Sequence, residues 1–205
     1  MQQLLIFDFD GVIIDSGRKI AELLNNMAPD FGLKRVPESE LEKFRKFGSR
    51  ELLKELKVPI YKLPAIMTRL RKELSDEIPN LKLVSGISEI LKSLSDKGFR
   101  MGIISSNSEM NVKEFLKKNN IDFFDFIEGG NSVFGKHRKI IKIIKKENAL
   151  KDKCIYIGDE TRDIEAARKA GVKVAAVSWG LNSREALEKY QPDWLLENPK
   201  NLLLL

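Results

Sequence analysis

Cysteine is almost absent from this chain. Its single thiol, Cys154, has no partner for an internal disulfide, and its place in the apolar run Cys154-Ile155-Tyr156-Ile157 predicts a buried, reduced side chain. Long hydrophobic runs are missing too. No stretch approaches the roughly 18 residues of a membrane span, and Leu202-Leu203-Leu204-Leu205 is too short for anything but a packed or frayed end. The N-terminus lacks the basic region and cleavage pattern of a signal peptide, so a cytoplasmic protein without membrane association is expected. Blocks of one charge sign are scarce: lysine and arginine are spread along the chain, and the formal net charge of +6 reads as a solvated surface rather than a nucleic-acid footprint. What remains is 205 residues, 42% hydrophobic and 32% charged, enough for a substantial core in one domain or one domain with an insert.

The most informative stretch is Leu4-Leu5-Ile6-Phe7-Asp8-Phe9-Asp10-Gly11, an apolar run that ends in two carboxylates. On a strand, side chains alternate faces, so Asp8 and Asp10 point one way while Phe7 and Phe9 point the other. Like charges so placed raise each other's pKa unless a cation sits between them or one keeps a proton. Gly11 lets the chain leave the strand sharply and brings backbone close to whatever the carboxylates hold. A plain strand running into an Asp-Gly turn is the alternative.

Downstream, helix-period apolar patterns dominate from about 16 to 80. Ile20, Leu23, Leu24, Met27 and Phe31 form the first, with Asp15 or Ser16 as its N-cap. Stripes around Leu41 and Phe44, then Leu52, Leu53 and Leu56, then Ile66 to Leu74 follow, and Pro79 closes the series. From Leu81 short strand patterns alternate with helices. Strands are expected at 100–104, 123–127, 154–158, 173–178 and 193–196, and helices at 86–97, from Ser108, at 137–147, at 161–170 and from Ser183. Such alternation implies an α/β fold with a mostly parallel sheet, its first crossover interrupted by a small helical unit. Ligands in these folds sit beyond the C-terminal strand ends, where Asp8, Asp10, Ser105 and Asp159 all fall. Together they supply what phosphoryl transfer requires: a carboxylate nucleophile, a second carboxylate for the proton, oxygen ligands for Mg²⁺ and donors for phosphate oxygens.

Asp8-Phe9-Asp10-Gly11-Val12, Ser105 after an apolar strand, Lys136, and Gly158-Asp159-Glu160-Thr161-Arg162-Asp163 with Ala170-Gly171 resemble, in order, the four motifs of the haloacid dehalogenase superfamily. The resemblance is to its phosphoglycolate phosphatase-like and beta-phosphoglucomutase-like branch. It implies a Rossmann-like three-layer core, residues 1–15 and 81–205, with a helical cap, residues 16–80, inserted after the first strand. It further implies an aspartyl-phosphate mechanism. Asp8 would attack phosphorus, and Asp10 would protonate the leaving alcohol and later deprotonate water. Asp8, the Asp10 main-chain carbonyl and Asp159 would hold Mg²⁺, with Asp163 acting through a water, and Ser105 and Lys136 would hold the phosphate.

Each position has an alternative. Asp159 also suits a helix cap, but Asp163 one turn on shares its face. Ser106 competes with Ser105. Lys136 follows Phe134-Gly135, where a loop would carry it over the strand ends, yet a solvated basic helix start is also open. His137 is not expected to be a catalytic base. Arg50, in the break Phe47-Gly48-Ser49-Arg50, is a candidate for an anionic substrate handle or a surface arginine, and Glu160, Thr161 and Arg162 read only as a helix start. The expected activity is Mg²⁺-dependent hydrolysis of a small phosphorylated metabolite by a monomer or homodimer. A sugar-phosphate mutase and a phospho-receiver domain are the alternatives.

Overall fold

The computed structural model describes residues 3–130 and 135–205. Its centre is β1 (Leu4–Phe7), buried on both faces and hydrogen-bonded between two parallel neighbours. Those neighbours are β2 (Arg100–Ile104) and β4 (Cys154–Gly158), and β3 (Phe126–Glu128), β5 (Lys173–Val177) and β6 (Trp194–Leu196) complete a parallel sheet of order β3-β2-β1-β4-β5-β6. Strands buried on both sides read as continuous apolar runs because helices cover each face. Leu5 and Phe7 point into a layer built from α5 (Ile87–Asp96), α6 (Glu109–Lys118) and the C-terminal turn around Leu202. Leu4 and Ile6 point oppositely, against α7 (Lys136–Lys146), α8 (Thr161–Ala170) and α9 (Arg184–Glu188). This is the expected three-layer α/β fold of Rossmann type.

Between β1 and α5 the chain runs through α1 (Gly17–Phe31), α2 (Leu41–Arg45), α3 (Ser49–Glu55) and α4 (Leu63–Glu77). These helices carry apolar clusters separate from those of the sheet. Leu23 and Met27 of α1 meet Ile66, Leu70 and Leu74 of α4, while Val36, Phe44 and Leu56 form a smaller group. The outgoing and returning chains run side by side, Asp15 N donating to Lys82 O at 2.9 Å and Val84 N to Ile13 O at 2.9 Å. Ser16 stands at the N-cap of α1, but its side chain makes no capping hydrogen bond.

Several element boundaries differ by a residue or more from the sequence reading, and two of the differences bear on the site. The strand expected at 123–127 is confined to Phe126–Glu128, because Asp125 binds the edge of β2 with both its backbone and its side chain. Phe124 is thereby freed to pack edge-on against Phe7, 5.8 Å between ring centres. Helix α7 begins at Lys136 rather than at 137. Phe134, part of the loop from which the position of Lys136 was read, lies outside the described residues. Cys154 is buried and free, and Leu202 is packed. No helix among the described residues is long and apolar enough to cross a membrane.

Candidate active site

The C-terminal ends of β1, β2 and β4 converge, and so do the polar side chains that follow them. Asp8 leaves β1 with its backbone N–H still bonded to Ile157 O of β4 at 2.8 Å. Its Oδ1 accepts from Phe9 N–H at 2.8 Å, and its Oδ2 accepts from the Lys136 ammonium at 2.6 Å. Lys136 also donates to Asp163 Oδ1 at 2.6 Å, so one buried cation bridges two chain segments far apart in sequence. It lies 5.5 Å from the ring centre of Tyr156, which supports it from the sheet side. The solvated helix start is thus excluded for Lys136, whose side chain is only 13% exposed.

Asp159 follows β4 and is completely buried. Its Oδ2 accepts from Leu181 N–H at 2.7 Å, while its Oδ1 has no hydrogen-bond partner among the described residues. Two glycines make room for it. A Cβ at Gly11, where φ is +71°, would sit 2.0 Å from Asp159 Oδ2, and one at Gly180 would sit 2.3 Å from the same atom. Asp163, in the first turn of α8, accepts from Glu160 N–H at 3.1 Å through Oδ2. Carboxylate oxygens of Asp8, Asp159 and Asp163 lie within 4.8 Å of one another. An all-oxygen set with an orphaned buried oxygen, Asp159 Oδ1, fits a hard divalent cation such as Mg²⁺.

Charge crowding appears in the acidities. Burial, only partly offset by Lys136, raises Asp8 to about 6. Burial and the neighbouring charge of Asp8 raise Asp10 to about 7. Asp159 is pushed well above the carboxylate range by burial, with Glu160, Asp163 and Asp8 adding to it. Burial alone would lower Lys136, but Asp163 and Asp8 outweigh it and hold the ammonium well above its ordinary value. Of the two carboxyls that follow β1, Asp10 is raised further than Asp8, which is held against the Lys136 ammonium.

After β2, Ser105 and Asn107 are both buried, Ser105 Oγ accepting from Asn107 N–H at 3.0 Å, and Ser106 between them is partly exposed along the cavity. Asn107 Nδ2 donates to Asp10 Oδ2 at 2.6 Å. Lys139 reaches back under this loop to Ser105 O at 3.3 Å, Gly129 O at 3.0 Å and Gly130 O at 2.7 Å. Asn107, Lys139 and Asn182 were not singled out by sequence reasoning. For Asn107 a signal existed, a side-chain amide two residues past a strand-end serine; for the other two there was none.

A cavity of about 740 Å³ separates these strand ends from the helical insertion. Contacts cross beside it. Ser49 N–H of α3 donates to Thr161 Oγ1 at 3.1 Å, and Asn182 Nδ2 donates to Phe47 O at 2.9 Å. Arg50 lies along the cavity but pairs with Glu165 at 3.5 Å, with its side chain 79% exposed.

The chain is similar in sequence and fold to known proteins. Over 202 residues the chain is 35% identical to a phosphoglycolate phosphatase of Synechococcus elongatus, covering 98% of this chain and 95% of that protein. A phosphoglycolate phosphatase of Aquifex aeolicus is 28% identical over 99% of this chain and 96% of its own length. In fold, a haloacid dehalogenase-like family hydrolase from Streptococcus pneumoniae superposes with a TM-score of 0.79 at 21% identity, covering 99% of this chain and 97% of its own. The family model for haloacid dehalogenase-like hydrolases matches residues 5–177, and the chain belongs to that family.

Proposed function

We propose that this protein is a Mg²⁺-dependent phosphatase of small phosphomonoesters, of the phosphoglycolate type, working through an aspartyl-phosphate. The observation that carries the reading is the single ammonium of Lys136 shared at 2.6 Å by Asp8 and Asp163, with Asp10 and Asp159 beside them. Phosphoryl transfer leaves little covalent work to the protein beyond positioning a nucleophile, a proton carrier and compensating charge. The curated relatives named above support the substrate class.

In this reading a carboxylate oxygen of Asp8 attacks phosphorus. The bond from phosphorus to the ester oxygen breaks, and that oxygen takes the proton of Asp10, whose pKa of about 7 allows it to hold one. Asp10, now ionised, accepts a proton from water as the water oxygen attacks phosphorus. The bond between phosphorus and Asp8 then breaks, releasing inorganic phosphate. Lys136, with the Ser105 and Ser106 loop, neutralises and orients the phosphoryl oxygens. Asp8, Asp159 and the Asp10 main-chain carbonyl would hold Mg²⁺, with Asp163 acting through a water, and the ion would supply positive charge that lets two anions approach. Residues 1–15 and 81–205 form the catalytic domain and residues 16–80 the cap, a division supported by their separate apolar clusters.

The test is phosphate release from 2-phosphoglycolate with and without Mg²⁺. Asp8→Asn should lose roughly 10³-fold or more in kcat. Turnover that is unchanged by this substitution would overturn the reading.

A further inference from the structure

Arg162 is the cation of this site that the mechanism above leaves without a task. It stands in the first turn of α8, next to Asp163, and its guanidinium is fixed along one edge by Glu160, whose Oε1 accepts from Nε at 2.8 Å and also from Nη2. Glu160 is held in turn from across the cavity, where Ser49 Oγ of α3 lies 3.5 Å from its Oε2. The remaining nitrogen, Nη1, donates to no group among the described residues. A guanidinium whose plane is locked and whose last nitrogen is free is preorganised to receive an anion, because little side-chain freedom is lost on binding.

Its surroundings point the same way. Arg162 lines the cavity that also exposes Asp8, Asp10 and Lys136. Burial would lower its pKa, but Glu160, Asp163 and Asp8 outweigh that and raise it, so it sits within electrostatic reach of the nucleophile. From the opposite wall comes Arg71 of α4, whose pKa is lowered first by burial and then by the charge of Arg162. Two guanidinium groups held toward one cavity repel, and an anion between them turns that cost into attraction. Two further cations lining the cavity are held by carboxylates, Lys136 by Asp8 and Asp163, and Arg50 by Glu165.

We propose that Arg162 is a specificity-determining residue that binds a second anionic group of the substrate, a carboxylate or a further phosphate, set close to the phosphorus that Asp8 attacks. This rests on the phosphatase reading of the same site and narrows it to esters with two anionic ends.

Three probes test it: 2-phosphoglycolate, with a carboxylate; pyrophosphate, with a second phosphate; and ethyl phosphate, with neither. With Mg²⁺ present, the wild-type kcat/KM for at least one of the first two should exceed that for ethyl phosphate by roughly tenfold or more. In Arg162→Gln that ratio should fall by roughly tenfold, chiefly through KM, and the probe whose ratio collapses identifies the group that is read. Arg162→Lys keeps the charge without the fork and should fall part of the way; it carries the test if the glutamine variant does not fold. A wild-type ratio near one for both anionic probes, or a ratio left intact by Arg162→Gln, overturns the proposal. Binding to Asp8→Asn protein, measured by calorimetry without turnover, separates the two readings. If no probe is hydrolysed, the phosphatase reading falls, while tighter binding of a doubly anionic probe that Arg162→Gln abolishes still upholds the role of Arg162, and its absence refutes it.

Discussion

Asn107 donates its side-chain amide to Asp10 Oδ2 at 2.6 Å, tying the end of β2 to the turn after β1. Asp10 Oδ1 meets the geometric criteria for no hydrogen bond among the described residues, although the Ser16 hydroxyl is near enough to lower the Asp10 pKa, so the Asn107 bond is the strongest tie on the carboxyl. Asn107→Ala should therefore lower kcat by roughly 10- to 100-fold while the Mg²⁺ concentration for half-maximal activity stays within about twofold. A kcat equal to wild type would show that Asp10 is oriented by something else.

Gly11 serves two needs at once, a positive φ and an empty Cβ position against Asp159. Gly32 has a φ of +69° with nothing within 4 Å of its Cβ position, and so isolates the first need. Gly32→Ala should cost about 1–2 kcal/mol. Gly11→Ala should cost about 1–3 kcal/mol more, from the overlap with the carboxylate. Urea unfolding of the two variants gives the comparison, and equal losses would contradict the crowding around Asp159.

The pH dependence of metal binding follows from the raised carboxyls. Asp8 rises from the usual 3.8 to about 6, and Asp10 to about 7, chiefly through burial. A carboxyl raised on folding binds its proton more tightly in the folded chain, so its stabilising contribution is present in full below 3.8 and is lost as pH climbs through about 6 to 7. Mg²⁺ needs the ionised form of the side chains that would ligate it, Asp8 and Asp159, and burial raises Asp159 as well. Adding Mg²⁺ should raise Tm several degrees more at about pH 8 than at about pH 5. Equal shifts at both values would remove the carboxylates from the metal site.

Cys154 is buried and its thiol is pushed up to about 11, mainly by burial and also by Asp152. Since the thiolate is the reactive form, the native protein should consume less than about a tenth of an equivalent of an aromatic disulfide reagent at neutral pH. It should consume one equivalent in denaturant. Rapid native labelling would mean that β4 opens more readily than its central place in the sheet allows.

Much of the architecture was legible in the residues because it rests on local periodicity. The run from Leu4 to Phe7 specifies a strand buried on both faces, and the shift from helix-only patterns before Leu81 to alternation afterwards separates the insertion from the sheet. Asp159 and Asp163 were readable as a pair from their spacing, but not as one helix face, since Asp159 stands before the N-cap Glu160 and only Asp163 lies in α8. The boundary of β3 was not: the aromatic run Phe123-Phe124 has strand character, but pairing by Asp125 keeps it outside the ladder.

Other relationships are set by distance in space between residues far apart in the chain. Nothing local says that Lys136 meets Asp8 across 128 positions, that Asn107 meets Asp10 across 97, or that the loop holding Asn182 closes over Thr161. Arg162 reads as one more residue in a helix's first turn until α4 is seen bringing Arg71 to the other side of the cavity. The sequence by itself determined the carboxylates, the strand that delivers them and the face each occupies, because alternation along a strand and the turn of a helix are properties of a few consecutive residues. Only the tertiary structure decided which cation each carboxylate faces and which arginine stands opposite them, because the parallel crossovers and the placement of the helical insertion bring those groups together.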